Sequence, residues 1–287
     1  MKKMLIAHSP DADDIFMYYA IKFGWVDMKD TKFDNIAEDI QTLNEKALRG
    51  EYEIVAISFA LYPHIKDDYA PLRTAVSFGE GYGPKVMKKK GTKLKRNFKV
   101  ALSGEHTTNA MLFRIKYPDA RITYMNFLEI EQAVLDGVVD AGVLIHESIL
   151  TYDDALEVEI EMWDIWQELA GDELPLPLGG MAISRAIPLN KAIDYEKTLT
   201  KAVDVARKHK EKLSQMLLER DLVRIDAPTL DKYLELYAND ESITLSEIQL
   251  RAIDKLFEIG YKNGFYDTPV KVEEYMIPTE YEELRHS

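Results

Sequence analysis

Residues 3–21 read Lys-Met-Leu-Ile-Ala-His-Ser-Pro-Asp-Ala-Asp-Asp-Ile-Phe-Met-Tyr-Tyr-Ala-Ile, and this stretch decides the class of fold. Lys3 to His8 is a short apolar run of the kind buried on both faces of a sheet. Pro10 stops it, Ser9 or Asp11 stands where a cap for the next helix belongs, and Ile15 to Ile21 supplies that helix. Working outward, Ile36 to Leu48 carries Ile40, Leu43, Ala47 and Leu48 at helical spacing, and Glu53 to Ser58 is a second buried strand. Strand, helix and strand in alternation predict an α/β fold with a largely parallel sheet.

A basic segment follows, with Lys88, Lys89, Lys90, Lys93, Lys95, Arg96 and Lys99 between Val86 and Val100. It reads as a solvated hairpin and connection into a second lobe. Only Phe98 interleaves the lysines, which is too little aromatic surface for a nucleic-acid platform. A second α/β unit then begins, with strands expected at residues 98–102, 121–125 and 142–145 and helices at 107–117 and 128–135. After Pro175-Leu176-Pro177-Leu178-Gly179-Gly180 one more strand is expected at 181–184, and helices at 195–219, 228–238 and 246–263. The pattern implies a larger lobe from residues 1–91 and 179–287 and a smaller inserted lobe from 92–178, with crossings near Gly91 and Gly179.

The composition narrows the function. The 287 residues include no Cys, so disulfides, thiolate nucleophiles and cysteine-ligated metals are excluded. Acidic residues outnumber basic ones 50 to 36, a formal charge of −14 that argues against nucleic acid as a partner. No apolar run approaches the ~18 residues of a membrane span. The first residues imitate a secretory leader for four positions and then turn polar at Ser9, so a cytoplasmic protein is expected.

Two places carry chemistry. Ser103-Gly104-Glu105-His106-Thr107-Thr108 lies where a strand gives way to a helix, and free N–H groups with the helix dipole favour an anion there. Two threonine hydroxyls add donors, and Gly104 admits a ligand to the backbone, although Ser103 or Thr107 serving only as a cap is the plainer reading. His146 follows Ala141-Gly142-Val143-Leu144-Ile145, placing an imidazole at the carboxyl end of a buried strand, the ligand-binding edge of open α/β sheets. Glu147 is not expected to orient it, because adjacent strand residues face opposite ways. His8 ends the first strand and stands where it could face the cleft. His64, His209 and His286 are weaker candidates, and no two histidines have metal-ligand spacing. Asp11, Asp13 and Asp14 lack the glycine and terminal glutamate of a calcium loop and read as charge at a helix start. Gly79-Glu80-Gly81-Tyr82-Gly83 reads as a bent loop near a ligand or hinge. Trp163 and Trp166, three apart on one helix face, read as packing.

Taken in order, several segments resemble the 1,4-dihydroxy-6-naphthoate synthases of the futalosine route to menaquinone. They are Ser9-Pro10-Asp11-Ala12-Asp13-Asp14, Glu38-Asp39 with Thr42-Leu43-Asn44, Ser58-Phe59-Ala60-Leu61-Tyr62, Gly81-Tyr82-Gly83-Pro84, residues 103–108, Ile145-His146-Glu147-Ser148, Thr151-Tyr152 and residues 174–179. The resemblance implies a two-lobed periplasmic-binding-protein type II fold, each lobe a mixed, mostly parallel sheet flanked by helices with a ligand cleft between them. It implies a carbon–carbon lyase that converts cyclic dehypoxanthinylfutalosine, a small-molecule carboxylate, to 1,4-dihydroxy-6-naphthoate without a cofactor. His146 matches the family's proposed general base. Ala56, Ile57 and Ser58 and the pair Thr107 and Thr108 match its ligand-binding positions, and Ser9 and Asn44 lie within matching motifs and are grouped with them. Some relatives read Cys-Pro-Asn-Asp where this chain has Asp11-Ala12-Asp13-Asp14, so the resemblance assigns those side chains no role. The sister chorismate dehydratase and a non-catalytic solute-binding protein are the competing readings.

Overall fold

The computed structural model describes residues 2–28, 31–171, 174–238 and 242–281. It opens with β1 (Lys2–His8), α1 (Ala12–Lys22), β2 (Thr31–Ala37), α2 (Ile40–Leu48), β3 (Ile54–Ser58), α3 (Tyr62–Ile65), β4 (Tyr69–Pro71) and β5 (Ser77–Gly79). There follow β6 (Lys85–Lys89), β7 (Lys99–Leu102), α4 (Thr108–Lys116), β8 (Arg121–Tyr124), α5 (Phe127–Leu135), β9 (Ala141–Leu144) and α6 (Ser148–Thr151). The rest is β10 (Leu156–Glu161), α7 (Met162–Ala170), β11 (Leu176–Ser184), α8 (Leu189–Lys208), α9 (Lys210–Leu218), α10 (Ala227–Tyr237) and α11 (Glu247–Lys262).

Two sheets form, one per lobe. The first runs β2-β1-β3-β11-β4, with β5 also paired to β11, and the second runs β10-β6-β9-β7-β8. Both sheets are mixed. β1 pairs parallel with β2 and β3, and β7 with β8 and β9. The parallel share is smaller than the strand–helix alternation predicts. β11 runs antiparallel to β3, β4 and β5, and β6 antiparallel to β9 and β10. The reason is that β6 and β11 open just after the chain passes from one sheet to the other, and each enters from the opposite end.

Sheet membership changes between β5 and β6 and again between α7 and β11, rather than near Gly91 and Gly179. The first passage holds Gly81, in the left-handed region at φ 73° that a glycine adopts without strain. The displacement follows from the basic segment. Lys85–Lys89 is no solvated hairpin but a strand inside the second sheet, with Val86 and Met87 fully buried. Two of its lysines meet carboxylates of β10, Lys88 with Glu159 at 2.6 Å and Glu157 at 3.5 Å, and Lys85 with Glu161 at 3.8 Å.

Other boundaries shift for local reasons. The helix expected from Ile36 starts at Ile40, because Ile36 and Ala37 finish β2 and the Asp39 carboxylate accepts from the N–H groups of Gln41 and Thr42. The single helix expected over residues 195–219 starts earlier and is broken at His209, where φ is −118° and ψ 28°. Trp166 is fully buried with Nε1 donating to the Leu174 carbonyl at 2.8 Å, so its role is packing, as its helical spacing implies.

Candidate active site

The carboxyl ends of β1, β3 and β9, the start of α4 and the middle of β11 surround one cavity of about 110 Å³ between the lobes. A single water needs only roughly 10–15 Å³, so this is ligand-sized space. Met17, Ile40, Ala56, Ile57, Val76 and Ile145 give it apolar walls, and Ser9, Asp14, Ser58, Asn109 and His146 converge on it as polar groups. Apolar walls with a few aimed polar groups are what a small-molecule site requires.

His146 occupies the position expected of it, just past β9, but with a backbone the sequence does not announce. Its φ is 54°, left-handed for a residue with a Cβ, a conformation that costs about 1–3 kcal/mol and collects at functional sites. The ring that results is 17% exposed, edge-on to Phe127 with centroids 4.9 Å apart. Its Nδ1 lies 2.5 Å from Asp11 Oδ2, and its Nε2 has no hydrogen-bond partner among the described residues.

The acidic loop packs around this histidine. Glu147 makes no bond to the ring, and the reason is not strand alternation, since β9 ends at Leu144; its carboxylate accepts from the Ala12 N–H at 2.9 Å and faces Arg224 at 3.4 Å. Asp14 accepts from the Ser9 N–H at 2.7 Å, and Asp13 accepts from the Tyr233 hydroxyl at 3.1 Å. Burial alone would raise the Asp11 pKa, but the charge and hydrogen bond of His146 hold it below the usual carboxylate range. Burial likewise works against a charged His146, yet Asp11 wins and lifts it above the ordinary imidazole value. Asp14 goes the other way, pushed up to about 8 by burial and by the negative charge of Asp11. Asp13 is pushed well up for the same two reasons. The loop therefore holds one ionised carboxylate, facing the imidazole, among carboxyls that keep their protons.

Three expected ligand contacts need correction. Thr107 is the N-cap of α4. Its hydroxyl accepts from Ala110 N–H at 3.1 Å and donates to the Gly104 carbonyl at 3.0 Å. The Thr108 hydroxyl donates to the Leu178 carbonyl at 3.1 Å and accepts from Ala60 N–H at 3.3 Å. Both threonines line the cavity, but their hydroxyls serve the protein, because a buried hydroxyl without a partner is costly. The N–H groups of Thr108 and Asn109 remain at the helix start, with no carbonyl four residues back inside the helix. Gly104 admits no ligand either. A Cβ there would lie 2.2 Å from Gln41 Oε1, so it is the α2 side chain that uses the space.

Ser58, Ala56 and Ile57 line the cavity as expected. Asn44 stands behind them. Its Nδ2 donates to Ser58 Oγ at 3.1 Å and its Oδ1 accepts from the Ser58 N–H at 3.0 Å. Ser58 Oγ thus has its acceptor side occupied and its proton left to give. Asp11, Asp14, Tyr233 and Tyr237 line the cavity without having been singled out for it. The cluster of aspartates was the available signal.

His8 faces elsewhere. Its ring nitrogens meet the Ser9 carbonyl at 2.7 Å and Asn35 at 2.9 Å, and it lines a small side cavity of about 30 Å³. His64 and His106 face each other across 6.3 Å, outside the main cavity, and His209 packs on Trp25. His286 lies outside the described residues. Among the described residues, no group of three or more His, Asp or Glu side chains is arranged to hold a metal ion, and no helix is long and apolar enough to cross a membrane.

Residues 4–262 match the model of the menaquinone biosynthesis family. The chain belongs to that family. A relative from Streptomyces coelicolor, named 1,4-dihydroxy-6-naphthoate synthase, is 31% identical over 266 residues, 90% of this chain and 93% of its own. One of the same name from Thermus thermophilus is 28% identical over 270 residues, 92% of this chain and 96% of its own. A crystal structure of an Archaeoglobus fulgidus protein superposes with a TM-score of 0.85 at 34% identity, covering 92% of this chain and 98% of that one. The periplasmic aliphatic sulphonate-binding protein of Escherichia coli matches at a TM-score of 0.66 with 14% identity, covering 100% of this chain and 96% of that one. At that distance the likeness speaks for the fold alone, the two-lobed architecture of periplasmic binding proteins. This member of the menaquinone biosynthesis family thus shares its fold with solute-binding proteins, and its cavity lies between the lobes.

Proposed function

We propose that this family member is a 1,4-dihydroxy-6-naphthoate synthase, a carbon–carbon lyase acting on cyclic dehypoxanthinylfutalosine, with His146 as its general base. One observation carries the reading. An imidazole that lines a ligand-sized cavity is held by its Nδ1 against a carboxylate, and its Nε2 is buried with no hydrogen-bond partner among the described residues. That is the arrangement of a histidine that accepts a proton. The names of the two relatives support the product, 1,4-dihydroxy-6-naphthoate.

The chemistry follows from the residues. His146 Nε2 takes a proton from the bound substrate, the electron pair left behind breaks a carbon–carbon bond, the pair from that bond passes into the ring system as it aromatises, and His146 returns its proton to the ring oxygen as the sugar-derived remainder leaves. The reaction involves no net oxidation or reduction. The apolar walls exclude water and suit a flat ring. Ser58 Oγ and the N–H groups of Thr108 and Asn109 are the donors for the substrate carboxylate, at a helix start whose dipole favours negative charge.

Incubating the purified protein with the cyclic futalosine derivative should yield a product with naphthoate absorbance and mass, and the His146→Asn variant should not. Chorismate tests the sister reaction in the same assay. Turnover of chorismate without naphthoate formation would replace this reading. Binding of the futalosine derivative with no turnover would leave a solute-binding protein.

A further inference from the structure

We propose that Asp11 is the positioning residue of the base, fixing the tautomer, the aim and the proton affinity of His146 from the opposite lobe. This rests on the reading of His146 as the proton acceptor and adds to it a residue to which the family resemblance assigns no role.

Asp11 follows β1 of the first sheet, and His146 follows β9 of the second. The two lie 135 residues apart in the chain, and their side chains meet at 2.5 Å across the junction of the lobes. Asp11 stands at the N-cap position of α1 yet makes no capping bond with its side chain. The capping task falls to Glu147, whose carboxylate reaches from the second lobe to the Ala12 N–H. That exchange releases Asp11 for the imidazole. Consecutive residues of the second lobe thus dock on consecutive residues of the first, His146 on Asp11 and Glu147 on Ala12.

Among the described residues the other acids near the ring have partners of their own. Glu147 is engaged by Ala12 and Arg224, Asp14 by Ser9, and Asp13 by Tyr233. The left-handed backbone of His146 has its reason here as well, for strain of that kind persists where the surroundings impose it. A carboxylate on Nδ1 fixes the neutral ring with its proton on that nitrogen and leaves the lone pair on Nε2, the atom without a partner among the described residues.

The titratable and charged groups around the ring are Asp11 and Asp14 from the α1 start, Glu147 beside it and Arg224 paired to Glu147. Asp13 and Tyr233 lie behind them. Of these, Asp11 raises the imidazole most, and burial opposes it. In Asp11→Asn burial prevails, so the acid limb of the rate profile moves to lower pH. kcat should fall about tenfold or more as the neutral ring loses its fixed tautomer, while KM changes less than about threefold. Asp11→Glu keeps the charge and should restore part of kcat and the original limb.

The native protein gives an independent test. Ring nitrogen NMR of neutral His146 should show the proton on Nδ1, and a predominant Nε2–H form would overturn the proposal. So would an Asp11→Asn enzyme with unchanged kcat and an unmoved acid limb. If His146→Asn itself turns over normally, it is the assignment of the base that fails. A proton on Nδ1 would then still establish the Asp11 contact.

Discussion

Asn44 and Ser58 exchange two hydrogen bonds, amide to hydroxyl at 3.1 Å and backbone N–H to amide oxygen at 3.0 Å. Asn44 is fully buried and Ser58 lines the cavity, so a residue of α2 sets the direction in which a β3 hydroxyl donates. Asn44→Ala should therefore weaken substrate binding by about 1–3 kcal/mol, as for lost or misdirected hydrogen bonds to a charged group. Measured KM should rise as in Ser58→Ala, and the double variant should be less than additive. Fully additive losses would separate the two residues.

Substitution of His146 by Asn should lower kcat by about 10²–10⁴-fold with a much smaller change in KM, the range contributed by a positioned base. The wild-type rate should rise with pH through the imidazole titration, with its midpoint above the ordinary value because Asp11 outweighs burial. A flat profile across that range, with the variant inactive, would show that His146 does not act by accepting a proton.

The backbone at His146 makes a separate stability prediction. At φ 54° an alanine keeps the Cβ clash and a glycine removes it. His146→Gly should be more stable than His146→Ala by about 1 kcal/mol in denaturant melts. Equal stability would mean that the turn relaxes once the imidazole is gone.

For Thr107 the expected loss is in folding rather than affinity. Its hydroxyl caps α4, so Thr107→Val should cost about 0.5–2 kcal/mol of stability, with KM little changed. An affinity loss without destabilisation would return that hydroxyl to the ligand.

Asp14 should make stability fall as pH rises. Its carboxyl is raised from 3.8 to about 8 in the folded protein, so below about pH 4 both states hold the proton and no penalty arises. Between about pH 4 and 8 the unfolded chain gives up that proton while the folded one retains it, and the penalty grows. It is complete above the folded pKa. Asp14→Asn keeps an acceptor for Ser9 and should raise Tm at pH 8 while leaving it nearly unchanged at pH 4. A gain of equal size at both values would place the effect in packing instead of titration.

The sequence was most legible where one segment explains itself. The run Ile54-Val55-Ala56-Ile57-Ser58 is buried at every position, as an uninterrupted apolar stretch predicts, and the apolar run before His146 put that residue at a strand end. Legibility ended where a residue's meaning depends on a distant partner. Lys88 reads as solvated until Glu157 and Glu159 arrive on the neighbouring strand. β2 buries little beyond Phe33, so its edge position leaves no alternation to detect. Asp11 looks like any acid at a helix start, and only the docking of the lobes gives it His146. Thr107 bonds only within its own turn, as any cap would, whereas the Thr108 hydroxyl is taken up by Ala60 and Leu178, distant partners that only the fold brings to it.

β11 serves three partners along its length, β5 at its start, β3 through its middle and β4 at its end. Its middle residues Gly179 and Gly180 are also the cavity floor. A Cβ at Gly179 would sit 2.7 Å from the Ile57 carbonyl, and one at Gly180 would sit 3.0 Å from the Phe59 ring. A side chain at Gly179 would part the central strands of the larger sheet, and one at Gly180 would have to displace the Phe59 and Val76 side chains. The facing wall is made of side chains, Met17 from α1 with Tyr233 and Tyr237 from α10, and those can be trimmed or enlarged one at a time. Redesign toward a different ring system therefore has its freedom on the helical side, with the glycine strand serving as the fixed template against which any new substrate must lie flat.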